Sequence, residues 1–183
     1  MREISLHILD IVQNSIVAGA SLIEVSIMES TEKNEFAVTI KDNGKGMDEE
    51  LVKRVIDPFT TSRTTRKVGL GIPLFKTAAE LTGGYFKIES ELGKGTVVTA
   101  VFVKNSIDRQ PLGDIAGTML GLFTSYEDID FIYTHVVDEK SFSADTREIK
   151  NILGDVSLSQ PDVYLWLTEY LQEGEGELLN QSI

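Results

Sequence analysis

Cysteine is absent from the 183-residue sequence. Disulfide bonds, thiolate catalysis and cysteine-ligated metal or iron–sulfur sites are therefore excluded. No apolar run approaches the roughly 20 residues that a membrane-spanning helix needs. At the N-terminus, the segment MREISLHILD places an acid and a histidine where a signal peptide requires an unbroken apolar stretch. We therefore expect a cytoplasmic protein.

Basic residues are scarce in the second part of the chain. Residues 1–104 contain 13 basic and 14 acidic side chains, whereas residues 105–183 contain 4 basic and 15 acidic ones. The second segment would repel nucleic acids and anionic membranes, which carry the same sign of charge. We expect neither nucleic acid nor membrane as a partner, but a protein partner or a homodimer. A solvated acidic face and a surface for a basic partner both remain open as interpretations.

The first predicted element is an amphipathic helix over residues 3–18. Its apolar residues recur at helical spacing and fall on one arc, whereas His7, Asp10 and Asn14 fall on the opposite arc. Gly19 is expected to end this helix, since glycine adopts the left-handed conformation that follows many helices.

The other elements are predicted from apolar spacing and from turn and cap residues. In residues 1–104 we predict strands at 22–28, 35–41, 85–89 and 96–104, and helices at 48–55 and after the glycines at 69–71. Strands grouped with helices in this order indicate an α+β fold, a two-layer α/β sandwich, rather than the regular alternation of a Rossmann fold.

Residues 105–183 are predicted to form a small acidic α/β extension of unknown role. We expect helices at 115–124, 143–153 and 162–172, a strand at 131–137, and a frayed tail from Glu173. The last helix carries Tyr164, Trp166 and Tyr170. These aromatic side chains either form a partner or dimer surface or dock the helix onto the rest of the protein.

Asp10 and Asn14 lie one helical turn apart, so a carboxylate and an amide can point at the same place. Mg²⁺ prefers oxygen ligands, and the amide of Asn14 could complete its shell together with nucleotide phosphates and waters. Alone, such a spacing is more typical of a surface pair.

The segment DNGKGM, residues 42–47, follows a predicted strand. A carboxylate fixed at Asp42 can accept a hydrogen bond from an exocyclic amine, which distinguishes adenine from guanine because guanine has a carbonyl there. Gly44 and Gly46 would let the backbone pass close to a flat base. A simple hairpin turn at Asn43-Gly44 is the competing interpretation.

Residues 59–67, FTTSRTTRK, are rich in hydroxyl and basic side chains. Such a loop suits a lid that closes over a triphosphate through Arg63, Arg66 and Lys67, although a solvated basic loop would have the same composition. Gly69-Leu70-Gly71 then precedes a helix, whose N-terminal N–H groups can face phosphate. The absence of GxxxxGK[ST] excludes a P-loop.

In order and spacing, these segments resemble the histidine-kinase-like ATPase (GHKL) superfamily of sensor kinases, type II topoisomerases, Hsp90 chaperones and MutL repair proteins. The matching motifs are the N box at 10–14, the first glycine box at 42–47, the F box at 57–59, the second glycine box at 69–71 and the closing strand motif at 95–96. The resemblance covers about residues 1–104. It implies the Bergerat ATP-binding fold, with ATP and Mg²⁺ as cofactors.

The resemblance also implies residue roles. Asn14 would bind Mg²⁺, Asp42 would read adenine, and Thr96 would lie near adenine through water. Together with the residue patterns, it gives these candidates for cofactor binding: Asn14, Asp42, Gly44, Gly46, Met47, Phe59, Arg63, Arg66, Lys67, Gly69, Leu70, Gly71 and Thr96.

The superfamily divides into kinases and hydrolases, and this sequence departs from both. Hydrolases carry a glutamate one turn before the asparagine, and here the catalytic candidate is Asp10, one methylene shorter. Residues 59–102 look more like a sensor kinase, but we expect no phosphoacceptor hairpin here. We interpret His7 as a packed or water-facing neighbour rather than a phosphoacceptor, and His135 as structural. We predict a Mg-ATP-binding regulatory protein, a stand-alone sensor-kinase-like or anti-sigma-like kinase or nucleotide switch. The alternatives are a weak MutL-like hydrolase and a non-catalytic interaction module.

Overall fold

The computed structural model describes residues 3–57, 59 and 69–179. Among them are six helices and six strands. The helices are α1 Ile4–Val17, α2 Glu49–Ile56, α3 Gly71–Leu81, α4 Ile115–Ser125, α5 Thr146–Leu153 and α6 Pro161–Leu179. The strands are β1 Leu22–Ser30, β2 Glu35–Asp42, β3 Tyr85–Glu91, β4 Gly95–Val103, β5 Asp130–Val137 and β6 Lys140–Asp145. None of these helices is both long enough and apolar enough to cross a bilayer.

The strands form one mixed sheet in the order β3-β4-β2-β1-β5-β6. Neighbouring strands are antiparallel except for β1 and β5, which run parallel with Ile23 opposite Phe131. A parallel neighbour requires a crossover connection, and α4 lies in that connection between β4 and β5. The α+β prediction of a helical layer on a sheet is confirmed.

One face of the sheet is buried beneath helices because apolar residues alternate along its strands. The central strand β1 buries Ile23, Val25 and Ile27, while the intervening side chains remain partly accessible. A single apolar cluster extends from α1 and α3 to α4 and α6. The two sequence segments therefore share one core, and the boundary at residue 104 falls just after β4.

The second segment also fixes the position of α1. The first backbone N–H groups of a helix have no partner within the helix. Here Ile4 and Ser5 donate theirs to the carbonyl oxygens of Pro111 and Leu112 at 2.9 and 2.8 Å. At the other end, Gly19 has a φ of 75° and follows the C-cap residue Ala18, so the predicted glycine stop is confirmed.

Two predictions in the second segment are wrong. The predicted helix at 143–153 begins only at Thr146, and Asp145 caps it by accepting a hydrogen bond from Arg147 N. The residues before it form strand β6, because polar and apolar residues alternate there and β5 offers a free edge.

The tail from Glu173 is not frayed but continues α6 as far as Leu179. Two features hold this extension in place. Gly174 lies against the Phe142 ring of β6, and Glu175 is buried, bonded to side chains of β5. In the sequence this stretch is rich in glycine and acidic residues, a composition that normally indicates disorder. The contacts that order it could not be recognised, because the partners of Gly174 and Glu175 are remote in the chain.

Candidate functional site

A cavity of about 170 Å³ opens between α1, α2, the end of β2 and β4. Its lining combines a few polar groups with a mainly apolar wall. The lining residues are Ile11, Asn14, Ser15, Val17, Ala18, Asp42, Lys45, Gly46, Met47, Leu51, Val55, Ile72, Thr96 and Val98. Because sites that enclose a whole small molecule usually measure about 300–1,000 Å³, this cavity suits a flat ring better than a complete nucleotide.

Asp42 is the buried acid of the cavity, with only 8% of its surface exposed. Its Oδ2 accepts a hydrogen bond from Ser15 Oγ at 2.6 Å, and its Oδ1 accepts one from the backbone N–H of Gly44 at 2.8 Å. A carboxylate has about four acceptor positions, so two hydrogen bonds fix its orientation and leave capacity for a ligand donor.

The glycines of residues 42–47 are required by close packing. Gly46 has a φ of 67°, and a Cβ on it would collide with the carbonyl oxygen of Glu91. A Cβ on Gly44 would stand 2.9 Å from Ala18 Cβ. Any larger residue at these positions would push the 42–47 turn away from α1 and from the β3–β4 hairpin. Gly46 lines the cavity, whereas Gly44 does not but packs against Ala18, which does.

Thr96 and Met47 both line the cavity, and both form hydrogen bonds with Ser90. The Ser90 and Thr96 hydroxyl groups lie 2.8 Å apart, and Ser90 Oγ accepts a hydrogen bond from Met47 N at 2.8 Å. Ser90 Oγ also donates to the carbonyl oxygen of Gly95 at 3.0 Å. This arrangement ties the 42–47 turn to β3 and β4, so the two predicted residues lie on one rigid wall.

Asn14 and Asp10 both lie on α1, but only Asn14 lines the cavity. Asp10 lies one turn earlier, against the first residue of α3, where a Cβ on Gly71 would stand 3.0 Å from Asp10 Cβ and 3.5 Å from its Oδ2. The structure therefore places the base candidate beside the second glycine box.

The predicted lid is described only at its margins. Arg63, Arg66 and Lys67 lie outside the described residues. Phe59 is 93% exposed and does not contribute to the cavity. Gly69 and Leu70 are exposed, and α3 begins at Gly71 after Leu70, an N-cap residue that makes no side-chain hydrogen bond to the helix.

Sequence reasoning missed several residues of the site. Ser15 holds Asp42, and Lys45 contributes to the cavity rim from an exposed position. The apolar part of the wall comes from α1, α2, α3 and β4, through residues that include Ile11, Leu51, Val55, Ile72 and Val98. Position 15 could have been found from its place next to Asn14, but its partner is 27 residues away.

The two histidines lie away from solvent. His7 is buried, stacked on Phe75 with ring centroids 5.2 Å apart, and its Nε2 lies 2.9 Å from Gln110 Oε1. Within the described residues, its Nδ1 has no hydrogen-bond partner. Burial lowers the pKa of His7, and the hydrogen bond to Gln110 offsets this only in part. The sequence placed His7 on a polar arc, but α3 covers that part of the arc.

His135 lies in a buried ion network that joins the two segments. Its Nδ1 is 2.8 Å from Glu175 Oε2, and its Nε2 is 3.1 Å from Glu29 Oε1. Burial would lower the pKa of His135, but the two carboxylates outweigh burial and raise it to about 9. Tyr133 OH donates to Glu175 Oε1 at 2.6 Å, and Lys104 Nζ lies 3.4 Å from Glu29 Oε2. The structural role expected for His135 is confirmed.

Several known proteins are similar to part of this chain. The sensor histidine kinase YvrG of Bacillus subtilis (strain 168) is 33% identical over 85 residues, which cover 44% of this chain and 15% of that protein. A putative sensor protein of Shewanella frigidimarina is 33% identical over 97 residues, which cover 52% of this chain and 15% of that protein. Sporulation kinase C of Bacillus subtilis is 32% identical over 93 residues, which cover 51% of this chain and 22% of that protein. The chain spans less than a quarter of the length of these relatives.

Solved structures share the fold. The N-terminal domain of a DNA repair protein matches with a TM-score of 0.54 at 15% identity, over 79% of this chain and 52% of that chain. The Aquifex aeolicus MutL ATPase domain complexed with ADP matches with a TM-score of 0.50 at 14% identity, over 84% of this chain and 69% of that chain. The likeness in fold therefore extends into the second segment.

Residues 2–106, more than half of the chain, match the family model described as histidine kinase-, DNA gyrase B-, and HSP90-like ATPase. Three of the motifs that match the superfamily meet at the cavity, since the N box, the first glycine box and the closing strand motif place Asn14, Asp42 and Thr96 in its wall. The chain belongs to the family of histidine kinase-, DNA gyrase B- and HSP90-like ATPases, and its ATP-binding domain is similar to that of sensor histidine kinases.

Proposed function

We propose that this protein binds Mg-ATP at the cavity and acts as a regulatory kinase or nucleotide switch. The observation that carries the proposal is the buried Asp42 carboxylate, held by Ser15 Oγ and Gly44 N in the wall of an otherwise mainly apolar cavity. An apolar slot with one oriented acceptor suits the adenine ring and its exocyclic amine. Thr96, held by Ser90, would contribute through water.

The donor set fits a magnesium ion that arrives with the nucleotide. Across the described residues, no group of three or more histidine, aspartate or glutamate side chains converges as a metal site would require. Mg²⁺ commonly keeps several waters and is bound by one or two protein oxygens together with substrate phosphates. Asn14 is the residue of the cavity wall that would supply such an oxygen.

The phosphates would extend from the cavity towards the start of α3. There the N-cap residue Leu70 has no side-chain acceptor for the first N–H groups of α3, and a helix N-terminus favours an anion. We assign Gly69, Leu70 and Gly71 to the backbone contact, and Arg63, Arg66 and Lys67 to the lid that would neutralise the triphosphate. These last three residues are assigned from the sequence alone.

A partner would receive the phosphoryl group or sense the bound nucleotide. The similarity to sensor kinases supports a kinase-like role, but His7 and His135 are both buried and committed to structural contacts. Neither can serve as an accessible phosphoacceptor without local unfolding. We therefore propose that the acceptor, or the reader of the nucleotide state, is a protein group outside these 183 residues.

Weak hydrolysis is a second candidate activity, favoured by the position of Asp10. Its carboxyl group lies against Gly71, beside the proposed phosphate contact. A general base must first lie within reach of the attacking water, and aspartate is shorter than the glutamate of hydrolases. Phosphate release by the wild type that disappears in Asp10→Asn, with ATP binding retained, would support this activity.

Calorimetric titration with ATP, ADP and GTP, with and without Mg²⁺, tests the main proposal. The wild type should bind adenine nucleotides selectively, Asp42→Asn should lose that binding while keeping its circular dichroism spectrum, and Asp108→Asn, a change at an exposed acid outside the cavity, should bind normally. Unchanged ATP affinity in Asp42→Asn would refute the adenine assignment. Absence of binding by the wild type at millimolar nucleotide would favour the interaction module instead.

A further inference from the structure

Helix α6 has an apolar surface that no other described element covers. Its inner side buries Leu167, Leu171 and Leu178 against the rest of the protein. On the outer side, Leu165 and Trp166 are 59% and 48% exposed. We call the outward residues Asp162, Leu165, Trp166, Glu169 and Glu173 the outer face of α6.

Trp166 is held in position from beneath. Its ring stacks on Tyr170 with centroids 5.2 Å apart and planes 9° apart. Tyr170 in turn packs on Phe142 of strand β6 at 5.3 Å and donates a hydrogen bond from its OH to the carbonyl oxygen of Ser143 at 3.0 Å. A large ring that is fixed yet half-exposed loses little conformational freedom on binding, which is typical of the aromatic anchors of protein interfaces.

Helix α6 carries charges of one sign only. After Lys150 the sequence contains no lysine or arginine, whereas residues 151–183 contain six acids. Three of them, Asp162, Glu169 and Glu173, are exposed on the outer face. A second copy would present the same acids, and nucleic acids or anionic lipids would be repelled in the same way. The occupant that suits this surface has basic side chains around an apolar stripe.

We propose that the outer face of α6 is the docking surface for a basic amphipathic segment of another protein. Trp166 and Leu165 bury its apolar side chains, and Asp162, Glu169 and Glu173 pair with its lysines or arginines. The described residues that line the nucleotide cavity include none from α6, so both sites can be occupied together. The docking surface does not depend on the nucleotide proposal.

The single tryptophan of the chain makes the test specific, because Trp166 is the only indole that contributes to the emission. The probe is a synthetic helical peptide of lysine and leucine with its leucines at i, i+3, i+4 and i+7, and the control peptide has glutamate in place of lysine. The lysine peptide should shift Trp166 emission to shorter wavelength in a saturable way. Its affinity should fall at least about tenfold between about 0.05 and 0.5 M salt, and the glutamate peptide should have no effect.

A charge reversal on the outer face identifies the site. Glu169→Lys/Glu173→Lys should weaken binding of the lysine peptide at least tenfold. The matched control Glu32→Lys/Glu139→Lys makes the same change in net charge at two exposed turns and should bind like the wild type. Equal loss in both double variants would show that only net charge attracts the peptide, and no loss in either would place the contact elsewhere. Both results overturn the proposal.

Two further measurements separate the remaining explanations. Calorimetric ATP titration of Glu169→Lys/Glu173→Lys should match the wild type, so failure of docking and failure of nucleotide binding are distinguishable. In sedimentation, this double variant should have the same oligomeric state as the wild type. A wild-type dimer that the charge reversal dissociates or strengthens would make a second copy the occupant and refute a basic partner.

Discussion

Ser15 Oγ donates a 2.6 Å hydrogen bond to Asp42 Oδ2 and so connects α1 to the end of β2 inside the cavity. The two residues come from different layers of the fold. Ser15 is adjacent to Asn14, so the same turn of α1 presents an amide to the cavity and orients the acid across from it. The proposed metal contact and the proposed adenine contact thus share one short stretch of helix.

The variant Ser15→Ala should therefore bind ATP about tenfold more weakly, since hydrogen bonds to charged groups contribute about 1.5–3 kcal/mol and Asp42 keeps its bond from Gly44 N. The loss should appear equally for ADP, because the contact concerns the base rather than the phosphates. Calorimetry measures both affinities. Ser141→Ala, at an exposed position of β6, is the matched control. Wild-type affinity in Ser15→Ala would mean that the 42–47 turn alone orients the acid.

The His135 network predicts how stability depends on pH. The pKa of His135 is about 9 in the folded protein, above the ordinary value of 6.5. Its stabilising effect is therefore complete below about pH 6.5 and is lost as the pH rises through 9, with a total of about 3 kcal/mol. Urea unfolding at several pH values between 6 and 10 should show this decline in the free energy of unfolding.

The comparison variant for that titration is His135→Gln, which cannot ionise. It should be less stable than the wild type at pH 6.5, because Glu29 and Glu175 lose a cationic partner, and the difference should shrink towards pH 10. A constant difference between the two proteins across this range would contradict an elevated pKa for His135.

Two glycines of α6 should respond in opposite directions to the same substitution. Gly174→Ala places a methyl group against the Phe142 ring, which Tyr133 and Tyr170 hold on either side, and should destabilise the fold by about 1–3 kcal/mol. Gly176→Ala meets nothing within 4 Å and should stabilise it by up to about 1 kcal/mol, since alanine is the better helix former. Thermal unfolding of the pair measures both. Similar effects in the two variants would show that α6 does not lie against Phe142 in solution.

Much of the fold and part of the site could be predicted from the sequence. Local signals were sufficient for α1 with its stop at Gly19 and for the strands of the first segment, because apolar spacing and glycine positions determine them. The resemblance to the superfamily grouped Asn14, Asp42 and Thr96 in one site, and all three line the cavity. Contacts between remote residues were not predictable, including Ser15 with Asp42 and Glu175 with His135.

The error at residues 143–153 has the same origin. The sequence pattern predicts a helix from Ser143, whose side chain is of the kind that caps helices, but its carbonyl accepts a hydrogen bond from Tyr170 and its strand pairs with β5. Strand pairing is a property of two segments, whereas a cap can be recognised from one. The extent of α6 was underestimated for the same reason, because Gly174 and Glu175 are unfavourable in isolation and favourable only beside β5 and β6.

Strand β1 has consequences for biosynthesis. Its second edge is occupied only by β5, which lies about a hundred residues further along the chain, with Ile23 opposite Phe131. A ribosome must therefore pass Val137 before β1 can be fully paired, and until then the emerging chain carries an open β-edge of the kind that invites aggregation. Complete pairing of β1 must therefore wait for residues of the second segment, although the residues that match the ATPase family emerge first.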